Sequence, residues 1–96
     1  MSGVLLEHYN LALPISRSVG SRSLEARLLI GIGAVYDALG ETQAALEYYN
    51  LALPIIRSVG DRSGEAIALN NIASAYHALN QKSKALYYYN NSPDIF

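Results

Sequence analysis

Three observations predict an all-α chain, an α-α superhelix of antiparallel helix pairs with about five helices. The sequence repeats itself at an offset of 40 residues, each repeat carries apolar residues at helical spacing, and short Gly-containing breaks separate the helical runs. "NLALPISRSVGSRSLEA" (Asn10–Ala26) returns as "NLALPIIRSVGDRSGEA" (Asn50–Ala66), 17 positions with three differences, Ser16/Ile56, Ser21/Asp61 and Leu24/Gly64. "LEHYN" (Leu6–Asn10), "LEYYN" (Leu46–Asn50) and "LYYYN" (Leu86–Asn90) fall in the same register. So do "AVYDALG" (Ala34–Gly40) and "SAYHALN" (Ser74–Asn80). Internal periods of this size mark stacked units that bury a core only by lying against one another. The chain therefore reads as a single domain, 1–96, made of a half repeat (1–20) and two repeats (21–60 and 61–96), the last irregular at its end.

The first helix is expected over roughly 4–18, opening the chain with the second half of a unit. The next, roughly 22–39, places Leu28, Leu29, Ile32, Val35, Tyr36 and Leu39 on one face by three-and-four spacing. Ser21 is its N-cap. "GETQ" (Gly40–Gln43) ends it, with Gly40 suited to the left-handed position after a helix. A connection so short makes the following helix, roughly 43–58, an antiparallel neighbour. Gly60 stops that helix, Asp61 caps the next (62–79), and Glu65 falls in its favourable first turn. A fifth helix covers 82–91 and stops early, because Asn91 and Ser92 stand where the earlier copy has Leu51 and Ala52. Pro14 and Pro54 fall inside helical patterns, where proline removes a hydrogen bond and costs about 3 kcal/mol. Apolar spacing continues beyond Pro54 at Ile55, Ile56 and Val59, so a kinked, continuing helix is expected.

Composition narrows the function. The net charge is −1, with seven Lys and Arg against eight acids, so no basic footprint for nucleic acid or an anionic membrane exists. Cysteine is absent, which removes disulfides and thiolate chemistry. The longest apolar run, "LLIGIGAVY" (Leu28–Tyr36), falls well short of the roughly 20 residues a membrane span needs. With no secretory pattern at the start, a cytoplasmic location is expected. His8 and His77 lie on different units without a partner at ligand or triad spacing. "GIG" (Gly31–Gly33) sits inside a helix pattern rather than after a strand. No catalytic residue, metal or cofactor is expected.

The motif spacing resembles the tetratricopeptide repeat family. Its large apolar residue, Leu-Gly pair, Tyr, Ala and aromatic appear as Leu29, Ile32-Gly33, Tyr36, Ala45 and Tyr49, and again as Leu69, Ile72-Ala73, Tyr76, Ala85 and Tyr89. The period of 40 rather than about 34 resembles the longer subclass of cyanobacterial and other bacterial repeat arrays and of spindle-orientation adaptors. Physically, Gly33/Ala73 and Ala45/Ala85 are small where two helix backbones approach. Tyr36/Tyr76 and Tyr49/Tyr89 are expected to fill the space between units.

The resemblance implies a non-enzymatic module that binds a protein or peptide on a concave face lined by the first helix of each unit. The residues there not committed to packing are Arg27, Ile30, Gly31, Ala34 and Asp37, then Ile67, Asn70, Asn71, Ser74 and His77. Asn71 matches the asparagine with which the family often holds a peptide backbone, whereas its counterpart Gly31 cannot. The two-lysine, two-asparagine clamp for a chaperone C-terminal carboxylate is missing, since those places hold Ile30, Ala34, Asn70 and Ser74. A homo-oligomer is the alternative expectation. Neither end carries a polar capping helix, leaving apolar surface around Leu5, Leu6, Leu11 and Leu13 at one end and Ala75, Leu79 and Tyr87 at the other.

Overall fold

The computed structural model describes residues 2–93. They form α1 (Ser2–Ser18), α2 (Arg22–Ala38), α3 (Thr42–Val59), α4 (Arg62–Ala78) and α5 (Lys82–Asn90), with no strand among the described residues. The expected ends agree to within two residues; residues 94–96 of the last repeat lie outside the described residues.

The turns follow one rule. Gly20, Gly40, Gly60 and Asn80 each adopt a positive φ, at 71°, 80°, 73° and 60°. Every connection thus reverses the chain through one left-handed residue, a conformation that glycine adopts freely and asparagine tolerates. The first helix of each pair starts on a side-chain cap. Ser21 Oγ accepts the Leu24 N–H at 3.3 Å, and Asp61 Oδ1 accepts the Gly64 N–H at 2.9 Å. The second helices begin at Glu41 and Gln81 without such a bond. Their start rests on tertiary packing instead. At the far end, α5 stops at Asn90, and the Asn91 side chain donates back to the Tyr87 carbonyl at 2.6 Å.

Helices α1 and α3 run unbroken through Pro14 and Pro54, so the chain continues as one helix rather than restarting. Each proline is exposed, which leaves the ring in solvent while its neighbours Leu13, Leu53 and Ile55 are buried.

Each helix packs on the next in the chain. The core is continuous, running through Leu29, Ile32, Leu46, Tyr49, Leu53, Ile56, Leu69 and Ile72. Each such side chain contributes about 1.5–3 kcal/mol by leaving water. Gly33 shows why small residues recur at the crossing. A Cβ there would lie 2.6 Å from the Tyr49 ring and 3.2 Å from the Ala45 carbonyl oxygen. Tyr49 therefore fills its site because Gly33 leaves room for the ring.

The motif tyrosines depart from the expected place between units, and the Tyr49 contact with Gly33 also lies within one unit. Tyr36 stacks on Tyr48 within one helix pair, centroids 5.5 Å apart and planes at 12°, and Tyr76 stacks on Tyr88 in the same way. These pairs close a hairpin rather than fill the gap between units. Tyr89 remains 46% exposed on α5, and Ala73 stands where the earlier unit has Gly33.

An ion pair crosses each unit boundary. Arg17 Nε donates to Glu25 Oε2 and Arg57 Nε to Glu65 Oε2, both at 2.9 Å, bridging the end of one helix and the first turn of the next. Arg22 adds a second bond to Glu25, at 2.9 Å. The Arg17 hydrogen bond chiefly, aided by the Arg22 charge, holds the Glu25 carboxyl below its ordinary 4.5 although burial opposes this. A carboxyl lowered in the folded state stabilises the fold above its unfolded pKa and loses that contribution as pH falls through the folded value. Glu25→Gln should therefore cost ~1 kcal/mol near neutrality and little well below pH 4.5. Urea unfolding of both chains at the two pH values measures the difference.

Candidate functional site

The first helices of the two pairs, α2 and α4, approach each other directly within 8 Å, whereas α1 and α3, or α3 and α5, do not. The stack is tighter on the α2/α4 side, so that side is the inner face of its curve. Spacings of three and four residues align Arg27, Ile30, Gly31, Ala34 and Asp37 on α2 and Ile67, Asn70, Asn71, Ser74 and His77 on α4.

Arg27, Ala34, Asp37, Asn70, Ser74 and His77 are exposed along this face, while Ile30 and Asn71 are half-buried. The Asn71 amide takes part in none of the side-chain hydrogen bonds among the described residues, so its donors and acceptor remain free for a ligand. Gly31 has a different task. The Tyr9 ring of α1 lies over it, 2.6 Å from where a Cβ would stand. A side chain at 31 would displace that ring, so the glycine serves the α1–α2 contact. Asp37 sits close enough to Tyr49 to act on it electrostatically. Burial first, then the Asp37 charge, pushes the Tyr49 hydroxyl up to about 12.

At the N-terminal end of the face a cavity of about 390 Å³ opens between the helices, lined by Arg27 and Ile30 on one side and Asp61, Ser63, Gly64 and Ile67 on the other. Arg27 has no ion-pair partner among the described residues, in contrast to Arg17, Arg22 and Arg57. From the sequence, Asp61 is expected only as a helix N-cap, and Gly64 stands out only as a difference between the copies. Their signal was nonetheless visible, because they are two of the three departures between the 17-residue copies. The boundary ion pairs were legible in the same way, since Arg and Glu stand eight residues apart in both copies.

The ends divide more finely than the sequence indicated. Leu6 and Leu79 are half-buried against the core, and Leu13 and Ala75 are buried. Leu5 and Tyr87 are exposed, Tyr87 standing edge-on to Tyr88. The exposed stripe on α1 also takes in Val4, Leu11 and Ile15, with exposed Val19 just past its end. Comparison in register explains it: Ile15 is 61% exposed where Ile55 is 7% exposed, because α3 has α2 over that face and α1 has no such neighbour. Leu86 is likewise bare where Leu46 is covered by α4. Both end helices are of the second type. Abutting two ends would therefore join second-type helices to each other, a pairing the chain does not use internally.

Among the described residues no three His, Asp or Glu side chains gather closely enough to hold a metal ion, and no helix is long and apolar enough to cross a membrane. The face offers the Asn70 and Asn71 amides, the Ser74 hydroxyl, the Arg27 guanidinium, the Asp37 carboxylate, the His77 imidazole and aliphatic surface.

Comparison with known proteins agrees with this geometry. The sequence model of the tetratricopeptide repeat matches twice, over residues 5–58 and 45–95. No curated protein matches the chain. Among solved structures, the chain is similar to the crystallised TPR domain of Arabidopsis FLU, at 24% identity and a TM-score of 0.86, over 95% of this chain and 76% of that one. At that identity the likeness concerns the fold. With the two matched spans running through nearly the whole sequence and the helix pairs stacked as described, the chain belongs to the tetratricopeptide repeat family.

Proposed function

We propose that the chain is a non-enzymatic protein–protein interaction module that binds a partner peptide or helix across the inner face of α2 and α4. The half repeat and two repeats act in this reading as one unit, and the 40-residue spacing supports kinship with the longer-period adaptors and arrays. A cytoplasmic location belongs to the same reading. One observation carries it: a contiguous exposed face, with Asn71 unengaged beside Asn70, Ser74 and His77, on helices whose other faces are spent on packing. Family membership supports it, since tetratricopeptide repeats generally mediate protein–protein contacts.

The test is steric. Peptides selected from a random library against the 96-residue chain should bind the Ser74→Arg and Ala34→Arg variants at least about tenfold more weakly, because a long cation on the groove floor obstructs the ligand. Leu51→Arg, on the exposed face of α3, should bind as the parent does. Equal binding by all three variants would refute the assignment. A second reading, self-association, draws on the α1 stripe of Val4, Leu11 and Ile15. Light scattering over a concentration series addresses it: a mass fixed at 10.4 kDa removes it, and a dimer that Ile15→Glu dissolves supports it.

A further inference from the structure

The cavity between α2 and α4 gives the proposed groove a chemical preference, an inference that rests on the inner-face reading above. We infer that it takes a branched aliphatic side chain of the partner peptide, with a neighbouring acidic side chain of that peptide paired to Arg27.

The cavity volume, about 390 Å³, is ample for a leucine-sized group with part of its backbone. Its apolar surface comes from Ile30 and Ile67, and Ile67 is 54% exposed, an aliphatic side chain left in solvent beside an opening. Covering it with another aliphatic group removes both surfaces from water. The polar rim is asymmetric. Arg27 stands on the α2 wall with its charge uncompensated among the described residues, and a carboxylate is the partner that a planar guanidinium engages through two parallel bonds. Asp61 stands on the α4 wall with Oδ1 engaged by the Gly64 N–H, so it repels a second acid there and can accept a peptide N–H. The acid is thereby placed on the Arg27 side.

The cavity wall draws on positions where the two copies differ. Of the three positions that distinguish the two 17-residue copies, Ser21/Asp61 and Leu24/Gly64 place their second members in the cavity wall. Where the first copy has leucine, the second has Gly64, and a Cβ there would lie 2.8 Å from the Asp61 carboxyl carbon. Glycine keeps the cavity open and lets Asp61 fold over the helix start. Arg27 itself corresponds to Ile67, so the two walls are chemically distinct although their helices are repeats.

The experiment selects random dodecamer peptides on phage against the full chain and against the Arg27→Glu and Gly64→Leu variants. The parent should enrich Asp or Glu next to Leu, Ile or Val. Arg27→Glu should keep the aliphatic residue and exchange the acid for Lys or Arg, and a synthetic parent-selected peptide should bind it at least about tenfold more weakly. Gly64→Leu should lose the aliphatic requirement, while circular dichroism shows both variants folded. A consensus without the acidic–aliphatic pair, or one that neither variant alters, overturns the inference. If such binders are still blocked by Ser74→Arg, the groove reading survives and the cavity assignment alone fails. Binders indifferent to all these changes, or none recovered, defeat both.

Discussion

Tyr49→Ala is expected to lower the unfolding free energy by about 3–5 kcal/mol, the largest effect of any single truncation in this chain. The residue is 2% exposed, and its ring lies against Gly33 where α2 and α3 pack, within the continuous core. Truncating it leaves a cavity whose cost depends on how far the surroundings can collapse. A domain of this size holds roughly 5–14 kcal/mol in total, so the loss is a large share of its stability. Urea denaturation followed by circular dichroism measures the loss. The same residue gives an alkaline signature. With its folded-state pKa raised from 10.0 to about 12, Tyr49 stabilises the fold fully below pH 10 and loses that contribution as pH rises toward 12. Tyr49→Phe should remove that alkaline dependence and leave the fold intact. An unchanged alkaline limb in the phenylalanine variant would show that the hydroxyl is not the group responsible.

Pro54→Ala should act in the opposite direction, stabilising the chain by about 2 kcal/mol. Proline inside a helix costs ~3 kcal/mol relative to alanine, of which up to about 1 is recovered through the stiffer unfolded chain. Helix α3 continues on both sides of Pro54, and the ring is exposed, so alanine gives up little burial while restoring the N–H that can reach the Asn50 carbonyl. Differential scanning calorimetry should record a higher midpoint. A lower one would mean that the local geometry imposed by Pro54 is what seats the buried Ile55 and Ile56 against their neighbours.

Much of this architecture could be read without coordinates because repetition supplies internal evidence. Two copies of "YNLALPI" fix helical phase, and Gly20, Gly40 and Gly60 mark three of the four turns by the one property no other residue shares as well. Asn80 keeps the fourth turn because asparagine tolerates the same dihedral. The tyrosines were less legible. The 40-residue register pairs Tyr49 with Tyr89, yet Tyr49 is buried on a helix packed on both sides, and Tyr89 is exposed on α5, which packs on α4 alone. The ends follow the same logic. Spacing identifies a face as apolar but not which neighbour covers it, so Leu13 and Ala75 are buried while Ile15 and Val19 are exposed. On the candidate face, the residues followed from helical phase and family resemblance. The cavity did not, because it arises between two helices far apart in the sequence.

The most direct test of inner-face binding is an amide chemical-shift map of the isotopically labelled chain, titrated with a library-selected peptide. The largest shifts should fall on the aligned α2 and α4 residues, from Arg27 and Ile30 to Asn71, Ser74 and His77, with α1 and α5 little changed. Shifts concentrated on the α1 stripe of Val4, Leu11 and Ile15, or on the outer surface around Leu51 and Leu86, would contradict it.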